Sequence, residues 1–345
     1  MVSVWLWDHE SIRKIWQTGS GKSWYTYKYV PNMRGEKKEY NMSTFWILLE
    51  QMELFVIYIL AGVILVKSRL FNRETLQPIS KFVLRMGLPL LIFTNIINGV
   101  ERNVLLSSGS VLMSAFLFYV AMFFISMGIA RIFHVKGKTA QIYQTMSMFG
   151  NIGFMGIPII TSIYPENGIL YVSVFSIVDQ LFLWTLGVKL TAPEGEGKFD
   201  PKKLVNPASI GIIVALFMIL TGLKLPTLLN TGLQKIGSTA TPLAMIYLGG
   251  IFACVPMKNG LRRGELYGIV FAKMLLVPMI MYGMMGAFGI AGDVRLTIAL
   301  IAGMPVMASI AMMVTPSDSE YAMGGIFITT ICSLVTLPLV CLILQ

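Results

Sequence analysis

The sequence predicts an all-α polytopic membrane protein, because three features occur together. Apolar residues make up 55 % of the 345 residues and charged residues 13 %, about half the roughly 25 % of an average soluble domain. The apolar residues cluster in runs long enough to cross a bilayer as helices, for example 111–129 and 268–290. The Lys and Arg residues lie mainly between these runs. The net charge of +10 therefore reports membrane topology and does not indicate nucleic-acid binding.

Residues 1–44 are predicted to be an N-terminal tail. The tail contains four Trp residues and several Lys and Arg residues, without the apolar core of a signal peptide. Met42 is an alternative start, because MSTFWILLEQMELFVIYI leads straight into the first apolar run.

Ten transmembrane helices are predicted after the tail. They cover 45–66, 76–98, 108–130, 140–163, 168–188, 207–223, 236–255, 267–290, 296–314 and 323–344. The loops after spans one, three, five and seven hold thirteen Lys and Arg residues, whereas the opposite loops hold four. The positive-inside rule then places the former loops in the cytoplasm and both termini outside.

A hydrophilic segment, 191–206, divides the spans five and five. It separates a first five-helix repeat, 45–190, from a second, 207–345. Because each half has an odd number of spans, the second half would enter the membrane inverted. Interrupted segments at corresponding positions of two inverted halves are the best sequence indication of a transporter's binding site.

Spans four and nine carry such interruptions. Span four includes SMFGNIGFMGIPIIT, with Asn151 and Pro158 inside an apolar run, and span nine has Met304-Pro305 near its centre. Proline and a buried amide disfavour a continuous helix at membrane depth. Two broken helices would present two half-helix N-termini to one cavity, suited to an anion. The alternative is that both prolines only kink packed helices.

Asp179 is the predicted ion-coupling residue. It lies near the middle of span five, where a carboxylate is costly and usually faces a cavity or a proton path. An ionised Asp179 would repel an anionic substrate, so its protonation is predicted to permit anion binding. The alternative is a structural carboxyl that bonds a neighbouring hydroxyl or amide. No cation is expected near the centre of a span: Arg85 and Lys273 are assigned to the cytoplasmic headgroups.

Several motifs carry a family resemblance over about residues 45–345. The run from Asn151 to Pro158, NIGFMGIP, resembles the N-x-x-x-M-G-I-P motif of the auxin efflux carrier family. Gln180 followed by Trp184, and Pro305 with the ending TTICSLVTLP, are similar to its later spans. That family includes plant auxin carriers and bacterial permeases assigned to malate or malonate.

The resemblance implies a ten-helix fold in which helices four and nine cross at proline-containing breaks. It also implies alternating access by a moving transport domain, and homodimers. Asn151 and Gln180 would contact the substrate, and Pro158 and Pro305 would mark the crossing. Span three lacks the charged pair of the plant carriers, so a small carboxylate is expected instead of auxin. The candidate substrate-binding residues are Gly150, Asn151, Gly153, Pro158, Gln180, Met304 and Pro305.

The predicted function is secondary transport of a small organic anion across the cell membrane, coupled to protons. One alternative is a sodium-coupled organic-anion symporter of bile-acid-transporter type, and another is a membrane sensor or structural protein without transport. The sequence contains no HExxH, no GxGD and no credible Ser–His pair, so an enzyme is not expected. Neither a cofactor nor a metal is expected. The expected partners are the anion, a proton or sodium ion and the lipid bilayer.

Overall fold

A computed structural model describes residues 36–103, 109–192, 207–254, 258–290, 292–315 and 317–344. Asn41–Gln345 form one compact unit. Residues 1–35, which include most of the predicted tail, and 193–206, which include most of the predicted loop, lie outside the described residues. The Met42 alternative is left as a prediction.

The described regular structure is helical apart from one isolated β-bridge. The seven longest helices are α1 (Glu36–Lys67), α2 (Arg73–Gly99), α3 (Gly109–Ile132), α6 (Gly168–Thr191), α8 (Thr227–Cys254), α10 (Gly264–Ala287) and α13 (Ser319–Leu344). The shorter helices are α4 (Gly137–Met148), α5 (Ile152–Ile163), α7 (Pro207–Thr221), α9 (Lys258–Leu261), α11 (Gly292–Gly303) and α12 (Ile310–Met313).

Seven of these helices are long and apolar enough to cross a membrane, with Thr44–Lys67 as the relevant part of α1. The prediction of an all-helical, multi-pass membrane protein is therefore confirmed. The other three predicted spans correspond to α4 with α5, to α7, and to α11 with α12. The ten-span inverted repeat and its orientation are still predictions.

Prolines shape three of the helices by the same mechanism. The π-helical turns Val83–Gly87, Ile152–Gly156 and Val270–Leu276 each end two residues before a proline. That proline then stands in the first turn of the following α-helical stretch. Proline has no N–H, and its ring pushes away the carbonyl four residues back, so the turn before it widens.

Two groups of helices can be distinguished by their contacts within this compact unit, and the groups also touch each other where α2 meets α6 and α8 meets α5. In the first group, α2 packs against α7 and α8, and α1 crosses α8. A Cβ on Gly249 of α8 would lie 1.9 Å from the Ile59 carbonyl oxygen, so the two backbones touch at this glycine. In the second group, α3 packs on α4 and α6, α5 on α6, and α10, α11 and α13 on one another.

Candidate functional site

Two interrupted segments cross at the centre of the second group. One passes from α4 to α5 through residues 149–151, and the other from α11 to α12 through 304–309. The Asn151 N–H donates to the Pro305 carbonyl at 2.8 Å, and the Met307 N–H donates to the Phe149 carbonyl at 3.3 Å. Gly150 and Val306 thereby form an antiparallel β-bridge. The prediction that both helices are interrupted is confirmed.

Side-chain size and a neighbouring hydroxyl explain why the chains meet here. A Cβ on Gly150 would lie 2.9 Å from Met304 Cβ and 3.1 Å from the Ile301 carbonyl oxygen. Glycine therefore allows the close approach. The Val306 N–H donates to Thr329 Oγ1 at 3.1 Å, which ties the second break to α13. Backbone groups freed from the helical ladder thus find partners, as buried backbone requires.

Two details of the predicted crossing are wrong. Pro158 does not mark the crossing, because the break lies at residues 149–151 and Pro158 stands in the first turn of the α-helical stretch Ile157–Ile163. Pro158 is accommodated inside α5 because the π-helical turn Ile152–Gly156 before it is widened. In addition, α12 has four residues, a single turn that provides no half-helix dipole. The expected pair of half-helix N-termini is therefore absent from the described residues.

The positive charge at the crossing comes from Lys273. The prediction that this side chain reaches the cytoplasmic headgroups is wrong, since its exposed fraction is 0 %. Lys273 is nine residues into α10, which corresponds to about 14 Å along the helix axis. Its Nζ donates to the Met304 carbonyl and, at 3.3 Å, to the Ala302 carbonyl.

Asp179 is also buried, with an exposed fraction of 1 %. The Tyr119 hydroxyl donates to its Oδ1 at 2.6 Å, and Gln180 Nε2 donates to its Oδ2 at 3.1 Å. Trp184 Nε1 donates to Gln180 Oε1 at 3.0 Å, which fixes the orientation of the amide. These are the hydroxyl and amide partners of the structural alternative for Asp179, and they also hold an ionised carboxylate in a fixed position.

Asp179 and Lys273 act on each other electrostatically across the crossing. The ion pair found within 4.0 Å among the described residues lies elsewhere, between Arg263 and Glu265. The two charges are therefore attracted without direct contact. Tyr119 connects Asp179 to the first break, because its ring stacks on Phe149 at 6.0 Å between centroids.

The Asn151 side chain lacks a partner at one end. Its exposed fraction is 1 %, yet its Nδ2 makes no hydrogen bond with the part of the chain that the structure describes. A buried amide donor without a partner is costly. At the crossing of two broken helices, this donor is available to a ligand.

A cavity of about 600 Å³ lies between the second half of α5 and helices α1, α2 and α8. It is lined by apolar, hydroxyl and amide side chains, without a charged residue: Gln51, Leu54, Phe55, Tyr58, Leu91, Asn95, Asn98, Gly99, Ile157, Pro158, Thr161, Pro165, Ile169, Gln234, Ser238, Thr241 and Pro242. It adjoins α5, which begins at the crossing, and it thus lies beside the buried charges and not around them.

The structure brings most of the predicted site residues together. Gly150, Asn151, Met304 and Pro305 are buried at the crossing. Gln180 lies in the Asp179 network, whereas Pro158 lines the cavity. The remaining candidate, Gly153, faces Leu88 of α2, since a Cβ there would lie 3.0 Å from Leu88 Cδ1.

Sequence reasoning missed Lys273 and Tyr119. The available signal for Lys273 was the apolar run on both of its sides, which places it well inside a span. Tyr119 carried no comparable signal, because its partner Asp179 is 60 positions away in the chain.

Comparison with known proteins identifies the family of this chain. The profile of the family described as "membrane transport protein" matches residues 47–201 and 197–341. An uncharacterised transporter of Methanothermobacter thermautotrophicus is 24 % identical over 296 residues, which cover 82 % of this chain and 94 % of that protein. An uncharacterised transporter of Methanocaldococcus jannaschii is 23 % identical over 281 residues, covering 78 % and 90 %. The chain belongs to the membrane transport protein family, the auxin efflux carrier-like family, and is a multi-pass membrane transporter.

Proposed function

We propose that this transporter moves a small organic anion by alternating access, with the crossing as its binding site. The observation that carries the proposal is the presence of a buried ammonium, Lys273, and an unpartnered amide donor, Asn151, at the same crossing. An ammonium and an amide N–H are donors that a carboxylate accepts from. A monocarboxylate or dicarboxylate such as malate or malonate fits this chemistry.

Proton coupling follows from the charges around Lys273. While Asp179 is ionised, it attracts the Lys273 ammonium and repels an incoming anion. Once Asp179 is protonated, the ammonium is left for the substrate. Tyr119, Gln180 and Lys273 are the polar groups found to act on this carboxyl, so the switch is local. Alternating access would move the second group of helices against the first, across the cavity beside α5.

Uptake into proteoliposomes tests the proposal. Purified protein should take up labelled malonate or malate when an inward proton gradient is applied, and an inward sodium gradient alone should not drive uptake. A Tm increase on addition of the same anions would report binding to the folded state. Failure of malate, malonate, succinate and citrate to produce either effect, under both gradients, would favour the sensor alternative.

The matched variants are Asn151→Leu and Asn230→Leu. Asn151 Nδ2 has no partner in the described chain, so its removal should cost little folding free energy while it removes a substrate contact. Asn230 lies in α8, where its Nδ2 donates to Asn98 Oδ1 at 2.7 Å. We expect Asn151→Leu to lose uptake and Asn230→Leu to retain it. The reverse result would contradict a site at the crossing.

A further inference from the structure

The carbonyl oxygens that hold Lys273 form an unusual environment for a lysine. Helix α11 ends at Gly303, and the last carbonyls of a helix have no partner within it and carry its negative dipole end. The Ala302 and Met304 carbonyls point from this helix end to Lys273 Nζ. Both residues are buried, with exposed fractions of 1 % and 0 %. The Lys273 ammonium is therefore bound by buried carbonyl oxygens at the point where a helix is interrupted.

Free cations are bound by the same arrangement in other transporters. Where transmembrane helices are interrupted, unwound carbonyls and half-helix C-terminal ends coordinate the coupling cation. From the geometry at the end of α11 we propose that the Lys273 ammonium occupies a monovalent-cation position at the crossing. The protein thereby carries its own cation on α10 and uses no sodium at this position. The conclusion that sodium does not couple transport rests on the proposed function. The conclusion that Lys273 fills a cation position does not rest on it.

The charge balance supports this assignment. Free sodium would add one positive charge beside Asp179, and Lys273 supplies that charge already. An ammonium has three donor hydrogens. Two are directed to Ala302 and Met304, and the third is left for a ligand on the side of Gly150, whose Cβ position lies 3.6 Å from Nζ. A tethered cation can thus serve the substrate and the helix end at once.

Replacing Lys273 should create a vacant cation site. In Lys273→Ala the carbonyls remain while the ammonium is lost, so a small cation can enter. In Lys273→Met the similar side-chain length keeps the space filled without a charge. Lys138 is the matched control, because its Nζ also donates to carbonyls at a helix end, those of Leu190 and Ala192, but lies partly exposed. In Lys138→Ala, water can therefore hydrogen-bond to these carbonyls in place of the ammonium, and no cation is needed there.

The experiment measures the Tm of the purified full chain in detergent without substrate. Sodium or methylammonium chloride is compared with N-methylglucamine chloride at equal concentration, the last cation being too large for the site. We expect a saturable increase of about 2–4 °C for Lys273→Ala with the small cations. Wild type, Lys273→Met and Lys138→Ala should show no such difference.

Two results in the wild type or the single variant would overturn the inference. One is an equal sodium-dependent increase in the wild type, which would show a separate sodium site. The other is no increase for Lys273→Ala with either cation. The double variant Asp179→Asn, Lys273→Ala removes both charges and keeps the test available if the single variant does not fold. The Tm increase with small cations should persist in the double variant. Loss of that increase would also overturn the inference, because it would assign the bound cation to the Asp179 carboxylate and not to the carbonyls. Because no substrate is used, a failure of anion uptake does not affect this readout.

Discussion

Gly150→Ala is the most direct perturbation of the crossing. The added methyl carbon would lie 2.9 Å from Met304 Cβ and 3.1 Å from the Ile301 carbonyl oxygen. Carbon atoms pack best at about 3.5–4.0 Å, so the methyl group overlaps Met304 by about 0.6 Å or more. Both neighbouring atoms are backbone or attached directly to it. A change of rotamer therefore cannot relieve the overlap, and the two breaks must separate.

The cost is that of overpacking a tight core, about 1–3 kcal/mol of unfolding free energy. The same separation would lengthen the bond between the Asn151 N–H and the Pro305 carbonyl, now 2.8 Å. It would also shift Asn151 relative to Met304, whose carbonyl accepts from Lys273. We therefore expect a lower unfolding free energy together with reduced anion uptake.

Gly283→Ala is the control for this prediction. Gly283 lies inside α10, and its Cβ position has no neighbour within 4 Å. Alanine is favoured over glycine in a helix by about 1 kcal/mol, so this change should be neutral or stabilising. Denaturant unfolding in detergent and uptake into proteoliposomes measure the two effects. A Gly150→Ala protein as stable and active as Gly283→Ala would refute a closely packed crossing.

Three further predictions concern the network and the helix contacts. Tyr119→Phe removes a bond to a carboxylate and should cost about 1.5–3 kcal/mol in denaturant unfolding, whereas Tyr143→Phe, which loses a bond to a neutral carbonyl, should cost about 0.5–1.5; equal costs would argue against an ionised Asp179. Asp179→Asn should make malonate binding, followed by thermal shift, independent of pH across neutrality, and an unchanged pH profile would contradict the coupling role. Gly249→Ala forces a methyl group to 1.9 Å from a carbonyl oxygen of α1 and should abolish a monodisperse peak in size-exclusion chromatography, while Gly232→Ala, with open space around it, should retain the peak.

The helices and both interruptions could be predicted because they depend on local sequence. Long apolar runs specify membrane helices, and an amide with nearby glycines inside such a run disfavours a continuous helix. The exact position of the interruption in span four was harder to predict. Pro158 suggested a break at the proline, but a helix can accommodate a proline by widening the turn before it, and the helix is interrupted at Gly150 and Asn151 instead.

The groups that compensate the buried charges at the site could not be predicted from local sequence. A lysine in a membrane span is stable only if distant groups satisfy it. For Lys273 these are carbonyls 29 and 31 positions away, at a helix end whose location depends on the fold. Asp179 has the same property, since its closest hydroxyl comes from α3. The sequence shows which residues are expensive to bury, and the fold decides what compensates them.

The crossing has a consequence for how substrate preference can change. The hydrogen bonds that join the two breaks are made by main-chain atoms, those of Phe149, Asn151, Pro305 and Met307. Gly150 must stay without a side chain for the two breaks to approach, but the hydrogen bonds themselves join peptide groups and do not depend on the chemistry of the other flanking side chains. These other side chains can therefore change to suit a different substrate while the main-chain hydrogen bonds persist. A transporter of this architecture can thus acquire a new specificity without a change of fold.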